Sequence, residues 1–139
     1  MLYILYAILS AFFAALVAIF GKLGLKDVDP TIATTVRVAV MMAFFLVVAT
    51  ALSKWKLISQ IDNHALGWIA ASGIAGAISW FFYFIALKAG PVGVVTVIDR
   101  TSVVFALVFA ALFLAEGITW KTGLGGLLVL AGAILVSIK

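Results

Sequence analysis

The sequence predicts an all-α integral membrane protein with five transmembrane helices, and its composition and hydropathy pattern both favour this class. Of the 139 residues, 67% are apolar and only 10% are charged, and the mean hydropathy is +1.36. A soluble domain is about 45–50% apolar and about 25% charged, because its surface must face water. The composition therefore excludes a soluble globular fold, and the absence of cysteine excludes a disulfide-stapled domain.

Charges and turn residues divide the chain into five apolar stretches, each near the roughly 20 residues that a helix needs to cross a bilayer core. These stretches cover about residues 2–20, 31–52, 65–87, 92–114 and 120–138. No segment alternates with a period of two, and backbone groups in hydrocarbon must be paired internally, so the spans are predicted to be helices. No linker separates them, which predicts one multi-pass domain over residues 1–139 in the cell (plasma or inner) membrane.

The connections contain residues that commonly begin or end helices. Helix-start residues precede three spans: Asp29 before Pro30, the pair Asp62-Asn63, and Thr119. Gly90-Pro91 predicts a tight turn between the third and fourth spans. The connection 53–64 is expected to lie in the headgroup region as a short loop or amphipathic segment, with Trp55 as an interfacial anchor.

Small residues at helical spacing predict where the helices contact one another. They are Ser10, Ala14 and Ala18 in the first span, Gly73 and Ala77 in the third, and Gly125 and Gly132 in the fifth.

Five spans place the two termini on opposite sides of the membrane, and the loop lysines divide almost evenly. Lys54, Lys56 and Lys121 lie on the side of the N-terminus, and Lys22, Lys26, Lys88 and Lys139 lie on the other. This bias is too small to determine one orientation under the positive-inside rule, which predicts that the chain can insert both ways.

Three charged residues lie well inside predicted spans, away from the span ends, where each is a functional candidate because burial of a charge in lipid is costly. Arg37 in the second span and Asp99 and Arg100 in the fourth lie at similar depths, since both spans start from the same side. An Arg37–Asp99 pair is therefore predicted. Such a pair either neutralises its own charges structurally or lines a substrate path or gate.

The third span carries a dense run of rings, in which Trp80, Tyr83 and Phe84 share one helix face. These rings either pack against lipid and other helices or form the wall of a substrate cavity, where ring faces could hold a cation. Glu116 follows the fourth span, and its carboxylate is expected to bind the N-terminus of the fifth helix as a structural group. Lys22 and Lys88 lie at span ends and are expected to extend to the lipid headgroups.

Neither enzymatic nor metal-binding motifs accompany these residues. His64 has no second histidine, cysteine or ordered carboxylate near it in sequence, so no metal is expected. The sequence also lacks the motifs of metalloproteases, phosphate loops and serine hydrolases, which predicts that the protein is not an enzyme and needs no cofactor. The nine Lys and Arg residues are dispersed, so no nucleic-acid partner is expected.

Several segments, taken in order, resemble the EamA-type repeat of the drug/metabolite transporter superfamily over essentially the whole chain. They are Phe20-Gly-Lys22-Leu-Gly-Leu, Arg37, Ala86-Leu-Lys88-Ala-Gly-Pro91-Val, and Leu112-Phe-Leu-Ala-Glu116-Gly-Ile-Thr119 before the glycine-rich stretch 123–133. The chain departs from the family pattern at two positions. Asp99 and its neighbours stand where a proline is common in the fourth helix, and Ala115 replaces the family's glycine.

The resemblance implies half of a ten-helix inverted-repeat transporter. The expected function is secondary transport of a small metabolite or organic ion by alternating access, as an antiparallel homodimer in contact with membrane lipid. Two alternatives remain: an accessory half-transporter that pairs with another membrane protein, and a flippase for a phosphate-bearing lipid carrier, which the cationic side of the chain would suit.

Overall fold

The structure is a computed structural model that describes residues 2–138, and these residues form helices and no strand. The helices are α1 (Leu2–Gly24), α2 (Pro30–Ala51), α3 (Asn63–Ala89), α4 (Val92–Asp99), α5 (Ser102–Phe113) and α6 (Trp120–Ser137), with a 3-10 helix at Trp55–Gln60. Because α4 and α5 together form one span, the described residues contain five spans long and apolar enough to cross a membrane, which confirms the predicted fold class. Lys139, counted above with the cationic side, and Met1 lie outside the described residues.

Side-chain caps begin three of the helices where the sequence suggested them. The Asp29 carboxylate accepts hydrogen bonds from the backbone N–H groups of Thr31 (2.8 Å) and Ile32 (3.3 Å), and Pro30 opens α2. The backbone N–H groups of Ile32 and Thr31 lower the pKa of Asp29, because they favour the ionised carboxylate. Asp62 caps α3 by accepting from two backbone N–H groups, and the Thr119 hydroxyl accepts from Thr122 N at 3.2 Å to cap α6.

The fourth span differs from the continuous helix that the hydropathy pattern suggested. Arg100 and Thr101 form a 3-10 turn between α4 and α5, in which Thr101 N donates to Ile98 O at 2.9 Å and Val103 N to Arg100 O at 3.1 Å. The Thr101 hydroxyl also donates to Ile98 O at 2.7 Å, and such local bonds compete with regular helical pairing. The interruption falls at the charged pair Asp99-Arg100, and short 3-10 stretches inside helices often mark hinges.

The chain divides into two compact units, of which the first comprises Met1–Ile19 with Ala89–Lys139. In this unit α6 packs against both α4 and α5. A Cβ atom on Gly126 would lie 3.0 Å from Leu107 Cδ1, and Gly126 is buried, as is Ala133.

The predicted contact face of α6, Gly125 and Gly132, is therefore wrong by one position within this unit, because Cβ atoms at those two glycines would meet nothing within 4 Å. Both pairs have a spacing of seven, so the sequence could not decide which face meets α5.

The second unit, Phe20–Lys88, has its core where the end of α1 meets the end of α3. Leu25, Phe84 and Leu87 are 3% exposed or less. Gly21 permits the close approach, because a Cβ atom there would lie 3.2 Å from Phe84 Cζ. No described residue of α2 is buried, so its apolar side chains are available to lipid or to another chain.

Candidate substrate site on α2 and α3

The guanidinium group of Arg37 lies on the aromatic side chains of α3 within the second unit. Its Cζ is 3.5 Å from the centroid of the Trp80 ring and 5.5 Å from that of Phe84. The ring faces carry negative charge density, and they stabilise a cation most where little water competes. α3 thus provides a partner for the charge of Arg37 inside the membrane span.

The three aromatic residues predicted to share a face do contact one another. Trp80 meets Tyr83 edge-on at 5.5 Å between centroids and Phe84 at 6.0 Å. Phe84 is 3% exposed and belongs to the core near Gly21, whereas Trp80 and Tyr83 are half-buried. The ring face of Trp80 that could hold a substrate cation is occupied by Arg37 of the same chain.

The stacked guanidinium retains unused hydrogen-bonding capacity. Arg37 Nη1 is buried and makes no hydrogen bond to any residue in the range 2–138. A ring face stabilises positive charge but does not replace the in-plane acceptors that N–H groups require, and a buried unsatisfied donor is unfavourable. This atom is the unsatisfied polar group from which a ligand could be bound.

An open cavity of about 250 Å³ lies beside this stack, lined by Thr31, Thr34, Thr35, Val38, Ala77 and Phe81. Thr34 is one helical turn from Arg37 on α2, and Ala77 is one turn from Trp80 on α3, so cavity and stack are neighbours. The Thr34 and Thr35 hydroxyls donate to Pro30 O (2.7 Å) and Thr31 O (2.8 Å), which leaves their oxygen lone pairs available to a ligand.

The lysine near the end of α1 caps α3, and the lysine near the end of α3 bonds to the backbone that follows α1. Lys22 Nζ donates to Leu87 O at 2.6 Å and to Lys88 O at 3.3 Å. Lys88 Nζ donates to Leu25 O at 2.6 Å, Val28 O at 3.0 Å and Lys26 O at 3.2 Å. The last carbonyls of a helix have no partner of their own, and a cation there also opposes the helix dipole favourably.

The sequence analysis missed these lysine contacts, because it predicted that both ammonium groups extend to the lipid headgroups. The available signal was that both lysines stand close to a helix end, in Gly-Lys22-Leu-Gly and Leu-Lys88-Ala-Gly. That signal indicates a C-terminal cation but not which helix it caps, because the pairing depends on how α1 and α3 pack.

The remaining site candidates belong to the first unit. Asp99 is half-buried and Arg100 exposed, and both adjoin the 3-10 turn. The pairing of Asp99 with Arg37 stays a prediction. The structural role of Glu116, which is exposed, also stays a prediction. At the start of α6 it is the Thr119 hydroxyl that accepts a hydrogen bond from a backbone N–H group. Among the described residues, no group of three or more His, Cys, Asp or Glu could hold a metal.

Comparison with known proteins agrees with this architecture. The model of the EamA-like transporter family matches residues 1–138. A Sinorhizobium protein described as an uncharacterized transporter in the cobO 3′ region is 35% identical over 133 residues, which cover 96% of this chain and 94% of that protein. No solved structure matches. With five membrane-spanning helices and a family match over nearly its whole length, the chain belongs to the EamA-like transporter family and is a multi-pass membrane transporter.

Proposed function

We propose that the protein is a secondary transporter that moves a small metabolite or organic ion by alternating access, as an antiparallel homodimer. The observation that carries this proposal is the stacked arginine of α2. Arg37 lies inside a span, rests on Trp80 and keeps a buried Nη1 without a hydrogen-bond partner in the described residues. An ionisable group held in this way within a membrane indicates a substrate path, because an arginine there is otherwise unfavourable.

The dimer follows from the number of spans and from the distribution of charge. Many transporters join two repeats of opposite topology and bind substrate where the repeats meet. One chain with nearly balanced lysines can supply both orientations. The apolar side chains of α2, which are not buried within one copy, would then contact the second copy.

The substrate path has two parts in this proposal. Arg37, Trp80, Tyr83 and Phe84 form the binding part, with Phe84 also supporting the core. Asp99 and Arg100 form a second part at the 3-10 turn, where a local change in helix geometry can accompany gating.

Orientation can be measured by cysteine labelling, because the natural chain contains no cysteine. Lys26→Cys and Lys56→Cys place single thiols in loops on opposite sides, and a membrane-impermeant maleimide is added to intact and then to permeabilised cells. An antiparallel dimer predicts that about half of each variant is labelled from outside. Complete labelling of one variant and none of the other, with normal expression, contradicts the dual orientation.

Transport itself is tested with the purified protein in proteoliposomes. Uptake of a metabolite by this chain alone supports the proposal. Uptake only in the presence of a second membrane protein favours the accessory subunit. Competition by phospholipid head groups, with no response to soluble metabolites, favours the flippase.

A further inference from the structure

We propose that the group bound by Arg37 is an anion, namely a carboxylate or a phosphate carried by the transported molecule. This inference rests on the proposed function, and it names the chemical class of ligand for the site on α2 and α3. The alternative class is an organic cation, which aromatic residues in a membrane cavity commonly bind through their ring faces.

The position of Arg37 argues against a cation. Its guanidinium carbon is 3.5 Å from the centroid of the Trp80 ring, so that face already carries a positive charge. The Phe84 centroid is 5.5 Å from the same carbon. A second cation at this wall would be repelled by the first, and repulsion is strong where water does not screen it.

The hydrogen-bond donors of the guanidinium group favour an anion. Stacking on a ring covers one face of the planar group but leaves its edge, whose N–H groups point outward in the plane. Nη1 on this edge is buried and has no hydrogen-bond partner in residues 2–138. Arginine presents its donors as a rigid fork that matches two oxygen atoms of a carboxylate or phosphate, so an oxyanion supplies both the missing acceptor and the opposite charge.

No carboxylate of the second unit hydrogen-bonds to Arg37 Nη1. Asp29 is the acid nearest to Arg37 along α2, and its carboxylate oxygen is engaged by the backbone at the helix start. The Tyr83 ring lies on the same side of α3, where it meets Trp80 edge-on at 5.5 Å between centroids. The 250 Å³ cavity between α2 and α3, whose lining includes Thr34 one helical turn before Arg37, provides space for a small organic molecule near this residue.

The test compares three ligands that share one carbon chain: butyrate, butyl phosphate and butylammonium. The protein is purified in a maltoside detergent that contains no phosphate, with Trp55, Trp68 and Trp120 replaced by phenylalanine so that emission reports Trp80. We expect both anions to change the emission saturably, with dissociation constants on the order of 1 mM, as is usual for so few atoms. Butylammonium should have no effect.

Variants connect the response to Arg37. Arg37→Gln should weaken both anions at least tenfold, since it keeps polar atoms but removes the charge and the fork. Arg37→Lys should retain part of the affinity, because the charge remains. Lys26→Gln, which removes an exposed cation from the end of α1, is the matched control and should bind as the unmodified protein does. The emission maximum without ligand, together with thermal unfolding, shows whether each variant is folded.

Three results would overturn the proposal: an equal response to butylammonium, no saturable response to the soluble anions or to phosphatidylglycerol, or unchanged anion affinity in folded Arg37→Gln. A second arm adds phosphatidylglycerol to the micelles instead of a soluble anion. An Arg37-dependent response to this lipid alone identifies the oxyanion as a lipid headgroup rather than a soluble solute.

The proposed function and this inference fail separately. Proteoliposome uptake that is confined to cations would agree with secondary transport but contradict the inference that the ligand is an anion. Anion binding without uptake of any solute supports the site and contradicts secondary transport.

Discussion

Two sets of cations in the unit Phe20–Lys88 occupy contrasting surroundings. Lys22 donates to Leu87 O at the end of α3 and Lys88 donates to Leu25 O just after α1, both at 2.6 Å. Arg37 lies within α2, rests on the Trp80 ring and has a buried Nη1 without an acceptor in the described residues.

The difference follows from the backbone. At a helix C-terminus the last four carbonyl groups have no intrahelical partner, so a nearby ammonium group is readily satisfied. In the middle of a helix every carbonyl is already used, and a cation there must find its acceptors elsewhere. The lysine contacts therefore stabilise the fold, whereas Arg37 keeps a donor for the anion that we propose.

The largest expected effect is on transport in Arg37→Gln. Loss of a charged hydrogen bond costs about 1.5–3 kcal/mol, which corresponds to a loss of roughly 10- to 100-fold in transport efficiency. Proteoliposome uptake measures it, and thermal unfolding should change little. If instead this variant is as unstable as a lysine-cap variant and Asp99→Asn restores its stability, Arg37 belongs to an ion pair within the folded chain, and the contrast with the lysines is wrong.

Lys88→Met should have the opposite profile. The substitution keeps most of the side-chain volume but removes three hydrogen bonds to the backbone that follows α1, and we expect it to lower the free energy of unfolding by about 1–2 kcal/mol. Thermal unfolding in detergent measures this change. Lys26→Met is the control, because Lys26 is exposed at the same helix end. Equal stability of the two variants would show that the carbonyl contacts of Lys88 contribute nothing.

The end of α5 extends the comparison of helix ends, because no lysine bonds to its carbonyl groups among the hydrogen bonds of the described residues. Ala115 has φ = 54° there, and Glu116 N donates to Ala110 O at 3.2 Å. A left-handed conformation costs an alanine roughly 1–2 kcal/mol and a glycine almost nothing, so Ala115→Gly should raise the free energy of unfolding by about 1 kcal/mol. Thermal unfolding of Ala115→Gly beside Ala111→Gly, which places glycine inside α5 and should destabilise it, measures the effect. Destabilisation by both would contradict the conformational argument.

The smallest expected effect concerns an anion at a helix start, which complements the cations at helix ends. The hydrogen bonds from Ile32 N and Thr31 N lower the folded-state pKa of Asp29 below its ordinary value of 3.8. The resulting stabilisation is complete above that value and is lost as the pH falls through the lower folded-state pKa. Stability measured between pH 6 and about pH 2 should therefore decline less in Asp29→Asn than in the unmodified protein. Parallel curves would exclude this contribution.

The sequence predicted the elements whose causes are local. The five spans follow from apolar stretches of sufficient length, and the starts of α2, α3 and α6 follow from Asp29, Asp62 and Thr119 because a cap bonds within a few residues of itself. The shared face of Trp80, Tyr83 and Phe84 follows from helical spacing, and the ring contacts agree with it.

The position of Ala115 is instructive in the same way. The resemblance to the family indicated that a glycine is common at this position. The structure supplies the physical reason, which is the positive φ that the backbone adopts after α5. The hydropathy pattern also predicted the length of the fourth span, while the 3-10 turn at Arg100 depends on backbone hydrogen bonds that hydropathy does not encode.

By itself, the sequence determined that this protein is a five-span membrane protein with an arginine, an aspartate and an aromatic run inside its spans, because length, composition and periodicity act along one chain segment at a time. Only the tertiary structure decided which groups meet. It placed Arg37 on Trp80, bonded Lys22 to the end of α3 and Lys88 to the backbone after α1, and buried Gly126 instead of Gly125. Each of these contacts joins segments far apart in sequence, and its geometry depends on how two helices rotate and approach, a quantity that no local pattern contains.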